Sequence, residues 1–328
     1  MFPSKDRAPG LPVTGFSFPG LKRFLAKLWP LLLALAILAY LFARIPRAAL
    51  WDALATGPWL WLGAYSVFVV LLALLADVYA MDMALTVTGL NLRFSQIFLV
   101  RGATYLLGLL NYSLGQGAFG VYLQRSGVPT VRAAGIMLFL LIVNSGMFLL
   151  MSCLGVLAGA FFGGSFSRFA SLAFGLTGCL LAYLSVVSLR PRFLQSWRLI
   201  APLLEAGLGG HLRAAAGRMP HVLVLILTFW GALQLWGIPI PLLKGIILIP
   251  VILFLSALPI TPAGLGTFQG SMVLLISPYV PLANPEARAA TVLAFSLVYH
   301  FLGIIIQAIL GLWCFQKIGR LDSFRSCL

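Results

Sequence analysis

The sequence predicts an all-α, polytopic integral membrane protein, and three observations predict it. Of its 328 residues, 61% are hydrophobic and only 9% are charged, whereas a soluble domain carries about a quarter charged residues. Several apolar stretches are long enough to cross a hydrocarbon core, which takes roughly 20 helical residues. These stretches are continuously apolar, whereas the strands of a membrane β-barrel alternate apolar and polar positions.

The elements follow in chain order. Residues 1–20 are rich in Pro and Gly and read as a disordered tail. "LPVTG", Leu11 to Gly15, matches a cell-wall sorting signal only by chance, because such signals precede a C-terminal hydrophobic tail. "LKRFLAKLW" makes a basic approach to the membrane. The apolar run Trp29–Phe42 is followed by "ARIPR", not a clean cleavage site, and reads as a retained first helix. A second helix is expected over Trp59–Ala80. Segment 94–126 is apolar but contains Arg101, and its glycines predict a break at 111–120. Further helices are expected at Val131–Phe161 and Phe169–Leu189. A basic amphipathic connector, 190–219, then leads to a helix at His221–Gly237. Segment 241–281 is again apolar and again broken, at "LPITPAGLG". A last helix at Ala289–Phe315 and a tail at 319–328 complete about six full spans plus two broken segments.

The broken segments resemble each other. In "GQGAFG", Gly115, Gly117 and Phe119 match Gly264, Gly266 and Phe268 of "GLGTFQG" at one offset. "RAAGIMLF" at Arg132 and "RAATVLAF" at Arg288 follow in the same order, and that second register pairs Asn144 with His300. Two ordered matches suggest an internal duplication, with halves at about 94–161 and 241–316.

"GQGAFG" also has the glycine spacing of a dinucleotide-binding turn. No strand precedes it and no acid follows about 20 positions on, so a Rossmann site is excluded. Two readings remain. The glycines let membrane helices pack closely, or they break the chain where it lines a polar passage. Pro259 and Pro262 in the second copy favour the break. If each broken segment enters and leaves on one face, the three spans between them put the two on opposite faces, giving an inverted repeat of re-entrant hairpins. With both termini cytoplasmic, 17 of the 22 Lys and Arg residues fall inside, as the positive-inside bias requires. The net charge of +15 is then read as orientation and attraction to anionic lipid, not nucleic-acid binding. The location expected is the cell's inner or plasma membrane.

Site candidates are the polar residues set among apolar ones. Arg101 either snorkels to the interface or holds a lipid phosphate. Asp77 or Asp82 would neutralise it. Gly264, Gly266, Thr267 and Gln269 open an expected half-helix, whose free N–H groups suit a phosphate. Gly115, Gly117, Asn111 and Gln116 would add to the first break. His300 is either a site residue or a neutral histidine bonded to a neighbouring helix, and Asn144 shares its standing through the repeat. Cys153, Cys179, Cys314 and Cys327 read as small buried or lipid-facing thiols. No catalytic motif, metal cluster or cofactor fingerprint stands out; only seven Asp and Glu are present.

"LLGLLNYSLGQGAFGVYLQRSGVP" and "LPITPAGLGTFQG" resemble the transmembrane region of lysylphosphatidylglycerol synthases, over about residues 20–318. Pro259, Gly264 and Gly266 fit the family pattern. Gln269 stands where Glu is frequent, and "FLLIVNSG" stands where the family often has a Glu–Arg pair. The resemblance implies a flippase-like domain, without the aminoacyl transferase, that moves amphipathic lipids between leaflets. The expected function is therefore translocation of a phospholipid or an isoprenoid- or hopanoid-type lipid. The alternatives are an integral-membrane transferase using Asp77, Asp82 or His300, and an assembly partner for an enzyme of lipid or glycolipid synthesis.

Overall fold

A computed structural model describes the backbone of residues 19–110, 112–161, 167–258 and 260–325. The described residues form helices joined by short turns, with no strand among them. Its helices are α1 (Pro19–Arg44), α2 (Arg47–Ala55), α3 (Trp59–Val87), α4 (Phe94–Gly108), α5 (Tyr112–Arg125) and α6 (Thr130–Phe161). They continue with α7 (Ser167–Leu189), α8 (Arg192–Gln195), α9 (Ala201–Leu235), α10 (Leu242–Ala257), α11 (Thr267–Ile276) and α12 (Pro285–Arg325).

Four helices, α3, α6, α9 and α12, are long and apolar enough to cross a membrane, and α1 with α2 makes a fifth if that pair, bent by 97°, counts as one. Among the described residues this does not reach the six full spans expected. The described apolar part of α7, Ala173–Leu189, is shorter than a full crossing. Apolar surface faces outward as well as inward: Leu60, Leu189 and Leu274 are each at least three-quarters exposed. In the most apolar stretch of α3 only 28% of residues are buried. An apolar exterior of this extent would be unstable in water and suits a hydrocarbon surround.

Two short helical hairpins interrupt the long helices. In the first, α4 and α5 fold back on each other around Leu109 and Leu110. The break expected at 111–120 is therefore displaced. "GQGAFG" lies within α5, whose helix begins at Tyr112, and Asn111 falls outside the described residues. Gly115 serves close packing instead: a Cβ there would lie 3.0 Å from the Thr104 carbonyl oxygen and 3.1 Å from Gly108 Cα of α4. Glycine spacing alone does not open a helix when tertiary packing holds both strands of a hairpin together.

The second hairpin breaks where the sequence places it. The α10 helix ends at Ala257, a single 3₁₀ turn covers Pro262–Gly264, and α11 starts at Thr267. Pro262 cannot donate a backbone hydrogen bond. Gly264 and Gly266 take φ values of +72° and +83°, which residues with a Cβ rarely adopt. Pro259 lies outside the described residues. The α1 helix packs on this break, with the Ala34 carbonyl against Gly266.

The connector expected at 190–219 is also corrected. Only α8 and the turn after it are separate. From Ala201 the chain is already α9, which continues through Pro220 into the helix expected at 221. A kink at Gly207, φ 60°, redirects its first turns. His211 fixes that kink: Nδ1 donates to the Gly207 carbonyl at 2.7 Å and Nε2 accepts from the Tyr183 hydroxyl at 2.8 Å. At the other end, α12 carries helix on to Arg325, into the region expected to be a tail.

Two apolar cores frame the bundle. One gathers α3, α4, α5 and α6 around Leu74, Ile97, Phe119 and Ile136. The other gathers α9 to α12 around Phe229, whose ring meets Phe268, Phe295 and Tyr299 edge-on at 5.8, 6.0 and 5.3 Å. Such edge-on pairs add to area burial and fix side-chain orientation.

Candidate functional site

Between the two cores lies a cavity of about 390 Å³. Its wall is built by α3, α4, α5, α6, α9, α10, α11 and α12. A second cavity of about 310 Å³ adjoins it, sharing Gly108, Leu253, Ser256, Phe268, Tyr299 and Gln307.

One end of the larger cavity is charged. Asp77, deep in α3, is 3% exposed. Its Oδ2 accepts from Arg101 Nε of α4 at 2.5 Å, and its Oδ1 accepts from Arg218 Nη1 of α9. Arg218 Nη1 also donates to His221 Nδ1 at 3.3 Å, one helical turn on. The Arg101 guanidinium lies over the Tyr105 ring, 5.6 Å from its centre. Asp77, Arg101 and His221 line the cavity. A buried ion in an apolar bundle is costly unless paired and hydrogen-bonded, and here a single carboxylate is shared by two guanidinium groups. The three groups together carry a surplus positive charge. Arg101 thus turns inward to Asp77, and snorkelling to the interface is not the conformation found.

The rest of the wall is apolar or neutral. From Asp77 towards the start of α3, the same helical face presents Ala73, Val70 and Ser66. Ser66 is 1% exposed, and its buried hydroxyl has no hydrogen-bond partner among the described residues. Tyr299 and Gln307 of α12 face the same space.

The expected site residues divide among these features. Arg101, Gly115 and Asn144 line the larger cavity, and Gly264 and His300 line the smaller one. Gln116 is buried and Gly117 exposed, both on α5. Neither is among the lining residues. Thr267 and Gln269 form the inner scaffold of the break. The Thr267 hydroxyl donates to the Gly264 carbonyl at 2.9 Å. Gln269, fully buried, accepts from Gly266 N through Oε1 at 2.7 Å, and its Nε2 lies 3.2 Å from His300 Nδ1. The backbone of Ala263, itself at φ 51°, hydrogen-bonds the same ring. His300 thereby ties α12 to the break. These side chains cap backbone groups that the interruption would otherwise leave unmatched.

Arg218 was not among the expected site residues because it read as part of the basic amphipathic connector, and His221 because it read only as the start of the helix that follows. Their spacing of one turn, flanking Pro220, is the signal that could have found them. Ser66 and Tyr299 carry no sequence signal beyond polarity within an apolar run. Among the described residues no three His, Cys, Asp or Glu side chains converge in a metal-ligand group. No protein-family model matches the chain, and no curated protein matches it.

Proposed function

We propose that this protein moves a lipid with an anionic head group between the two leaflets of a membrane. The observation that carries the proposal is the charged end of the cavity. Asp77 and Arg101 line an open volume, with Arg218 held behind them on the same carboxylate, inside a bundle whose outer surface is apolar. A phosphate-bearing head has both the charge and the acceptor geometry that guanidinium groups bind, in two parallel hydrogen bonds. Its tails would remain among the exposed leucines and phenylalanines outside.

The hairpins supply the topology for such a path. At 15 and 14 residues, α4 and α5 are each about 21–22 Å long. At 16 and 10 residues, α10 and α11 are about 24 and 15 Å. All four are short of the ~30 Å hydrocarbon core. Each pair is then a re-entrant element that returns to its own side. With α1, α3, α6, α7, α9 and α12 as the crossings, the first hairpin enters from the cytoplasmic face and the second from the opposite face. Each precedes a long helix, α6 or α12. That order is the inverted repeat suggested by the sequence and by the resemblance to flippase-like domains, an arrangement that transporters use around a midplane site.

The test is lipid movement in vesicles reconstituted with the purified protein. Tail-labelled phosphatidylglycerol placed in both leaflets is bleached from outside by a membrane-impermeant reductant. Protein-dependent loss of more than half the signal is expected. A plateau at the value of protein-free vesicles would remove the proposal.

A further inference from the structure

His221 stands beside the shared carboxylate, yet holding an anionic head group does not require it. It follows Arg218 by one turn of α9, is 9% exposed and borders the larger cavity. Its Nδ1 lies 3.3 Å from Arg218 Nη1. A guanidinium has only N–H donors, so Nδ1 is the acceptor, and the ring is neutral with its proton on Nε2. The charged groups that act on the ring are Asp77 of α3, Arg101 of α4 and Arg218 of its own helix. Tyr105 of α4, Asn144 of α6, and Tyr299 and Gln307 of α12 share the cavity wall, and none of these side-chain types is charged at neutral pH.

Charge balance decides when this ring can gain a proton. Asp77, Arg101 and Arg218 by themselves sum to one surplus positive charge. A proton on Nδ1 would raise the surplus to two and set the imidazolium against the Arg218 donor, in surroundings where unpaired charge is costly. A monoanionic head group beside Arg101 cancels the surplus. A proton on His221 then restores it to one, the charge that the cluster already sustains. We infer that His221 makes this a proton-coupled transporter: the ring takes up one proton when an anionic head group occupies the charged end of the cavity, and proton and cargo cross together. The proton comes from water on the loading side, binds Nδ1 as the bond from Arg218 is given up, and returns to water on the other side as the head group leaves. By linkage, bound anion and bound proton strengthen each other by the same factor. The moving pair is electrically neutral. This rests on the translocator reading above and adds its energy source.

The experiment uses phosphatidylcholine vesicles that hold the purified protein and a trace of tail-labelled phosphatidylglycerol. Protein-free vesicles under the same gradients set the baseline. In the first arm a potassium ionophore clamps the membrane potential at zero, and the lumen is made more alkaline by about one pH unit. Proton and lipid should travel inward together until about tenfold more label lies in the inner leaflet, the ratio that such a gradient sustains at one proton per lipid. In the second arm a potential is applied at equal pH, and the label should stay evenly spread because the moving pair is neutral. His221→Asn offers Arg218 an acceptor and cannot take a proton. It should reverse the pattern, ignoring the pH gradient and accumulating label on the positive side under the potential. An even wild-type distribution under the pH gradient would overturn the coupling while leaving translocation standing. So would wild-type accumulation driven by the potential, or a His221→Asn protein that still follows the pH gradient. The two wild-type arms decide the matter alone if the variant does not fold. Absence of any protein-dependent movement would remove both the coupling and the translocator reading.

Discussion

Arg218 donates to Asp77 across 141 positions of chain, from the middle of α9 to the C-terminal half of α3. That bond, with the one from Arg101, joins three helices through one carboxylate. The arrangement is unequal, and the inequality is testable. Asp77→Asn leaves two buried guanidinium groups facing each other and should cost about 3–5 kcal/mol of stability. Arg218→Gln leaves a one-to-one pair between Asp77 and Arg101 and should cost clearly less. Thermal unfolding of the purified variants followed by size exclusion gives the ranking, and the reverse order would refute the shared-carboxylate account.

Glycines in the two hairpins should respond differently to alanine. At Gly264 an added Cβ would lie 2.6 Å from the Ser256 carbonyl oxygen, and at Gly266 2.9 Å from that of Ala34, both at positive φ. Either substitution should destabilise by more than about 2 kcal/mol, from backbone strain and overlap together. Gly117 is helical, and a Cβ there meets nothing within 4 Å. Gly117→Ala should be neutral or stabilise by up to about 1 kcal/mol. Equal losses at all three positions would show that "GQGAFG" is broken after all.

The role of Gln269 separates into two bonds. Gln269→Glu keeps an acceptor for Gly266 N and loses only the donor to His300. Gln269→Leu loses both and leaves Gly266 N buried without its partner, at about 1–3 kcal/mol. The glutamate variant should therefore melt closer to the wild type than the leucine variant. Indistinguishable melting temperatures would mean that the cap contributes little.

Opposite entry of the hairpins is open to chemical labelling. In a variant with Cys153, Cys179, Cys314 and Cys327 replaced by Ser, single cysteines are placed at Gly127, after α5, and at Asn284, before α12. A membrane-impermeant maleimide added to intact cells should label Asn284→Cys and spare Gly127→Cys, with the pattern reversed in inside-out vesicles. Labelling of both from one side would remove the inverted repeat.

Local physics made part of this molecule readable from its residues. Continuous apolar runs have no polar face to expose, so the helices and their preference for hydrocarbon follow from composition. The break before Thr267 follows as well. Pro262 removes a backbone donor and Gly264 and Gly266 accept positive φ, so the helix is disfavoured there before any packing is considered.

Tertiary structure decided the rest. "GQGAFG" has no proline, and whether its glycines bend the chain or admit a neighbour depends on what lies opposite; Gly108 and Thr104 lie opposite, and the segment stays helical. Arg218 read as part of a basic amphipathic connector, because charge in a sequence carries no depth. Only the packing of α9 on α3 brings it to Asp77. The composite wall at Ser66, Tyr299 and Arg101 likewise has no linear pattern. It joins residues of three helices distant in sequence, and only the folding of those helices against one another creates it.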